Sequence, residues 1–305
     1  MHTANRRRFL QAGLGVGTVA AISGRQVDGI EPIRRGGCPR LRLSLAAYSY
    51  RQYLNLNSRP KPNMGLSDFI DDAARMPLDA VELTSYYFPD TTNGYITSLK
   101  GQCIRLGLDI SGTAVRNDFC SANARQRQRD IQHVKDWIEH TSLLGGKTIR
   151  IFAGNVPRGE EVGRAQARCV EGIQEVCDHA ARFGVFVALE NHGGITASSD
   201  EMLAIVRAVR HAWFGVNLDT GNFRTANPYA DLAKLAPYAV NVQLKTEIRK
   251  AGQEKEDADI PRLLEILHRA SYRGYLVLEY EAAGEPREEV PRELTRLEQF
   301  IREME

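Results

Sequence analysis

From Leu41 onward the chain alternates short apolar runs with amphipathic stretches eight times, and few folds accommodate that rhythm. The runs are LRLSLAAYSY (41–50), AVELTSYY (80–87), LDISGTAV (108–115), KTIRIFAG (147–154), VFVALENH (185–192), FGVNLDTGN (214–222), AVNVQLKTEI (239–248) and GYLVLEYEA (274–282). Nearly continuous apolar runs mark strands covered on both faces, as in a parallel sheet. Between them, helical spacing predicts helices over 65–75, 125–144, 160–183, 198–210, 260–271 and 287–304, with weaker signals near 96–106 and 231–236. Gly145-Gly146 and Gly184 mark helix ends, and Ser198-Ser199-Asp200 marks a helix start. Eight strand–helix units without an internal break predict an α/β fold, a single (β/α)8 TIM barrel over 40–305. An open doubly wound sheet is the alternative, and the lack of a second-domain break disfavours it.

Four strand candidates end in a polar residue: Glu190, Asp219, Gln243 and Glu279. A charge at the tip of a buried strand needs a partner. Four such tips suggest one shared partner, and carboxylate and amide oxygens suit a hard divalent cation. In a barrel these tips lie at the C-terminal mouth, where the chemistry of such folds sits. Other tip residues could shape a pocket: Glu82, Asn117 and Arg150 as polar contacts, Tyr48 and Tyr50 as an aromatic wall. His192 and Lys245, each two residues beyond a tip, share its face as a proton carrier and an oxyanion stabiliser. Each also has a plainer reading, as an ion-pair partner or a buried hydrogen-bonded group. His133, Trp137 and His140 share a helix face and read as outer surface, and 249–259 reads as a solvated loop or a lid.

The N-terminus reads as a targeting segment. Asn5-Arg6-Arg7-Arg8-Phe9-Leu10-Gln11 precedes the weakly apolar AGLGVGTVAAI (12–22), which is similar to a twin-arginine (Tat) export signal over 1–23, with a linker over 24–39. The expected location is periplasmic or extracytoplasmic. Gly13, Gly15 and Gly17 imitate a nucleotide loop, but no strand precedes them. Without 1–23, Lys+Arg falls from 40 to 37 against 38 Asp+Glu, so the charge moves from +2 to −1. That balance offers no footprint for nucleic acid. No later apolar run reaches the roughly 20 residues that span a bilayer, so no membrane partner is expected after signal cleavage. A homo-oligomer is allowed. The five scattered cysteines read as core residues.

ALENHGG (188–194), NLDTGN (217–222), NVQLK (241–245) and YRGYLVLEYE (272–281) together resemble the sugar-phosphate isomerase/epimerase family, also called xylose isomerase-like, which shares its barrel with endonuclease IV. The resemblance implies metal ligands at Glu190, Asp219 and Glu279. The family's usual His ligand falls at Gln243, expected as the fourth ligand through its carbonyl oxygen, which shifts the expected cation towards manganese, with magnesium, cobalt or zinc as alternatives. It further implies abstraction of a proton beside a sugar carbonyl, with Glu190 and Glu279 as the proton-transferring pair and His192 and Lys245 assisting. The expected function is a metal-dependent isomerase or epimerase of a non-phosphorylated carbohydrate, since no Gly-rich phosphate loop follows the last strands. The alternatives are a 3-keto-glycoside lyase of the same family, which replaces reprotonation by β-elimination, and a non-catalytic sugar-binding barrel. An endonuclease is disfavoured because it would need several metals and many His ligands.

Overall fold

The computed structural model describes residues 29–37 and 39–304, and the segment 1–23 expected to be an export signal lies outside them. Eight parallel strands close into a barrel: β1 (Arg40–Ala46), β2 (Ala80–Thr84), β3 (Asp109–Ala114), β4 (Thr148–Ile151), β5 (Phe186–Glu190), β6 (Phe214–Asp219), β7 (Ala239–Leu244) and β10 (Arg273–Leu278). Strands β8 (Glu247–Arg249) and β9 (Lys255–Asp257) form a separate antiparallel hairpin, and β10 pairs with both β7 and β1 to complete the circle. Helices α1 (Arg51–Leu54), α2 (Leu66–Ala73), α3 (Asn93–Arg105), α4 (Ala124–Leu144), α5 (Val162–Phe183), α6 (Ser199–Ala208), α7 (Pro228–Leu235), α8 (Ile260–Arg269) and α9 (Pro286–Met304) make up the rest. Each buries one apolar stripe; in α8 it is Ile260, Leu263, Leu264 and Leu267. The fold is the single (β/α)8 TIM barrel that the alternation predicts.

Local chemistry moves some boundaries. The first apolar run stops being a strand at Ala46 and turns through a 3-10 segment, Ala47–Tyr50, into α1. The seventh run splits into β7 and β8. The two weak helices start earlier than their apolar spacing suggests, because Thr92 and Asn227 cap the first turns of α3 and α7. Trp137 is not outer surface: it is buried edge-on against Phe88, with ring centroids 4.9 Å apart. Most of the stretch 249–259 belongs to the β8–β9 hairpin rather than to a plain loop. The described part of the 24–39 linker is bound to the barrel, with Ile33 N–H donating to Pro237 O at 2.9 Å and Arg35 lying over the Tyr272 ring. Cys103, Cys120, Cys169 and Cys177 are buried free thiols, while Cys38 lies outside the described residues.

Two irregularities set which side chains face inward. Between β6 and β7 the register runs from Val216–Ala239 to Asn217–Asn241, so Val240 is an extra residue on β7. A one-residue bulge re-aims every side chain beyond it. Asn241 therefore pairs with Asn217, and Gln243 with Asp219. Between β2 and β3 a second shift skips Ser111 and brings Glu82 opposite Gly112.

The segment after β10 is held by two residues of the first loop. Buried Ser49 Oγ donates to Leu278 O at 3.2 Å and accepts from Tyr280 N at 2.9 Å. Arg51 donates to Tyr280 O at 2.8 Å and Glu281 O at 3.4 Å. Glu279 sits inside this clamp. Ser49→Ala leaves a buried N–H and a buried carbonyl without their partner, so urea unfolding should show a loss of about 1–3 kcal/mol. An unchanged midpoint would show that the clamp does not matter.

Candidate active site at the barrel mouth

Glu190, Asp219, Gln243 and Glu279 sit at or just beyond the ends of four neighbouring strands, β5, β6, β7 and β10, and all four are buried. Each is held by its own neighbours. Glu190 forms an ion pair through Oε2 with Arg150 Nε at 2.8 Å, not aligned as a hydrogen bond, and accepts from Asn222 Nδ2 at Oε1 at 2.9 Å. Arg150 also donates to Val115 O at 2.7 Å and lies over the Phe152 ring at 4.0 Å. The Lys245 ammonium lies 3.5 Å from Asp219 Oδ2, 3.3 Å from Glu279 Oε2 and 3.1 Å from Glu281 Oε2.

Gln243 is committed to an amide network. Its Oε1 accepts from Asn217 Nδ2 at 2.7 Å, and its Nε2 donates to Glu82 at 2.9 Å. Asn241 completes the network, donating to Asn217 Oδ1 at 2.8 Å and to Glu82 at 3.3 Å. Glu82 lies below the mouth in this network rather than on the cavity wall.

The local sequence accounts for these positions residue by residue. In Asp219-Thr220-Gly221-Asn222, Asp219 Oδ1 accepts from Gly221 N at 2.8 Å, and Thr220 Oγ1 accepts from Lys245 N at 2.9 Å. A Cβ on Gly221 would stand 2.7 Å from Lys245 Cγ and 2.9 Å from Glu247 O, so only glycine lets the lysine stem pass. Asn191 staples β5 to β6, donating to Asp219 O at 2.8 Å and accepting from Asp219 N at 2.9 Å. Asn191, Asn217, Thr220 and Asn222 lie inside the recognised motifs, yet apolar periodicity gives them no signal. Arg116, Phe152 and Arg224 also reach the site, and only their position after strand ends could have pointed to them.

A cavity of about 500 Å³ opens above this floor. Its wall includes Tyr48, Asn117, Arg150, Glu190, His192, Lys245 and Glu279. Thus most of the expected site residues converge there. Tyr50 does not: it is fully buried, with its ring 5.5 Å from Phe69. Asn117 lines the wall while stapling the strand ends through Phe152 O at 2.7 Å and Phe152 N at 2.9 Å. His192 stands exposed at the rim with its ring 4.3 Å from Phe152. Partial desolvation, then Arg150 and Lys245, hold its imidazole below the usual histidine range, leaving it neutral near pH 7.

Four buried carboxylates (Glu82, Glu190, Asp219 and Glu279) share two buried cations, Arg150 and Lys245. The imbalance shows in their acidities. Burial raises Glu82 to about 7, with the Glu279 charge adding to it. Burial likewise raises Asp219 to about 7 against the pull of Lys245, and Glu190 is pushed well up by burial despite Arg150. Burial would lower Lys245, but Asp219, Glu279 and Glu281 overcome it and raise the ammonium's pKa. Asp219 Oδ2 is buried without a hydrogen-bond donor. Carboxylate oxygens with two charges in excess are the donor chemistry that a hard divalent cation takes. As the side chains stand, Arg150 and Lys245 pair with those carboxylates, and no three His, Cys, Asp or Glu among the described residues are grouped closely enough to hold a metal ion.

Comparison with known proteins places the fold. No curated protein matches the chain. Among solved structures, a xylose isomerase domain protein from Planctomyces limnophilus superposes with a TM-score of 0.64 at 16% identity, covering 88% of this chain and 98% of its own. D-psicose 3-epimerase from Clostridium cellulolyticum H10 gives 0.68 at 16%, covering 86% and 98%. The 3-keto-D-glucoside 4-epimerase of E. coli gives 0.64 at 15%, covering 86% and 99%. At these identities the likeness is one of fold. The family model described as "Xylose isomerase-like TIM barrel" matches residues 70–302, and the chain belongs to that family.

Proposed function

We propose that the chain is an isomerase or epimerase of a keto-sugar that works by abstracting a proton beside the carbonyl. The observation that carries this reading is the pair Glu190 and Glu279, which reach one sugar-sized cavity from strands separated by β6 and β7. The fold neighbours named as sugar epimerases support it.

Removing a proton beside a carbonyl leaves a negatively charged enediolate, so the site needs a base, a returning acid and positive charge near the carbonyl oxygen. Glu279 and Glu190 supply the first two. Burial makes the Glu190 carboxyl a weaker acid than an ordinary glutamate, which suits a group that returns a proton. The Lys245 ammonium, held by Gly221 and Thr220, faces the developing oxyanion, and Arg150 orients Glu190 from the β4 side. Neutral His192 at the rim can pass a proton or bind a hydroxyl. Glu190, Asp219 and Glu279 would hold a divalent cation, manganese first on the oxygen-rich donor set, and such an ion supplies Lewis-acid stabilisation of adjacent sugar oxygens. Gln243 serves in this reading through Glu82 and Asn217, as a brace beneath the ligands.

The test is a panel of free ketoses in deuterated water with added Mn²⁺. The wild type should place deuterium beside the carbonyl of at least one sugar. Glu190→Gln and Glu279→Gln should each reduce the rate by roughly 10²–10⁴-fold while circular dichroism stays unchanged. Undiminished exchange in both variants would refute the assignment of the pair.

The excess charge gives a second test. Asp219 and Glu82, with ordinary values of 3.8 and 4.5, are both raised to about 7 in the fold. A raised folded-state value means that their stabilising contribution is complete below about pH 4 and is lost as pH climbs through about 7, on the order of 1 kcal/mol per pH unit per group. The unfolding midpoint of metal-stripped protein should therefore fall between pH 5 and pH 8. Saturating Mn²⁺ should replace the protons and flatten that fall. Identical pH curves with and without Mn²⁺ would exclude a cation at these carboxylates.

A further inference from the structure

A second cavity, of about 560 Å³, opens beside the first. The two share Tyr48, Tyr86 and Arg116 as a common wall, while Gln52, Asn57 and Tyr87 line the outer chamber alone. Each chamber lies within the range of about 300–1,000 Å³ typical of small-molecule sites, so together they exceed what one monosaccharide ring needs.

The chemistry of the shared wall is specific. Tyr48 and Tyr86 are half-buried, offering ring surface that is neither core nor free surface. Arg51 lies 5.4 Å over the Tyr48 ring and is spent on the carbonyls of Tyr280 and Glu281. Arg116 lies 5.4 Å over the Tyr86 ring, is exposed, and forms no ion pair among the described residues. A guanidinium carries five donors and needs acceptors. Tyrosine faces, amide side chains and a free guanidinium form a set that takes the apolar face of a pyranose on a ring and its hydroxyls on the donors. The carboxylates, by contrast, gather in the inner chamber.

We propose that the outer chamber is a second sugar subsite, and that the substrate is a two-ring glycoside. Its keto ring occupies the inner cavity and its second ring stacks on the Tyr48–Tyr86 wall, with hydroxyls towards Arg116. The proposal rests on the proton-abstraction reading for which ring reacts, but the subsite itself is tested by binding.

The experiment compares D-fructose and D-psicose with maltulose, lactulose and leucrose on the whole chain, by calorimetry and by deuterium exchange. At least one disaccharide should bind about tenfold tighter than either monosaccharide. Gln52→Trp and Asn57→Trp, which fill only the outer chamber, should remove that advantage and leave monosaccharide binding and exchange as in the wild type. Equal affinity for both sizes, or an advantage that survives both tryptophans, overturns the subsite. No exchange in any sugar refutes the proton-abstraction reading alone, because calorimetry on the same sugars still decides the subsite. No binding of any sugar overturns both.

Discussion

The site depends on one imbalance: four buried carboxylates, three at strand ends and Glu82 beneath them, share two buried cations. Charges taken out of water at this density are tolerated only if something neutralises them. Protons can do so, and the lowered acidities of Glu82, Glu190 and Asp219 record that pressure. A divalent cation can do so as well, and its charge equals the excess. The same imbalance is chemically useful, because a carboxyl kept near neutrality in its protonation can both take and return a proton.

The rest of the fold serves to hold these groups at close quarters. The closed parallel barrel covers every strand edge and aims the tips at one mouth. The Val240 bulge sets Gln243 beside Asp219, and the amide chain Asn241–Asn217–Gln243–Glu82 fills the barrel beneath with satisfied hydrogen bonds. Ser49 and Arg51 clamp the segment that carries Glu279, while Asn191 and Gly221 place Asp219 and Lys245. The β8–β9 hairpin begins two residues after Lys245. A small cavity of about 120 Å³ separates the hairpin from Lys245 and Glu281.

Much of this was legible in the chain. The barrel follows from eight apolar runs with helical stretches between, and Glu190, Asp219 and Glu279 stand out because a buried strand seldom ends in a charge without a reason. Gln243 was equally visible as a strand-tip residue, but its hydrogen-bond partners were not. They depend on a bulge at Val240, and a valine in a strand-forming stretch carries no mark of being the extra residue. Lys245 was legible as a neighbour of the site, whereas its position among three carboxylates required the strands to be assembled. Tyr48 and Tyr50 share a strand face in the linear reading; the 3-10 turn after Ala46 separates them, sending one to the cavity and the other into the core. Asn191 and Asn222 stayed silent because short polar residues in loops have many ordinary uses, and only the fold gives theirs.

In the proposed function one divalent cation balances the strand-tip carboxylates. Electron paramagnetic resonance of Mn²⁺ added to metal-stripped protein measures this directly, by counting the ion that loses its free-solution signal. One bound Mn²⁺ per chain is expected in the wild type and none in Asp219→Asn. A wild type that leaves all the Mn²⁺ free, or an Asp219→Asn protein that binds it as tightly as the wild type, would rule out a cation at these carboxylates.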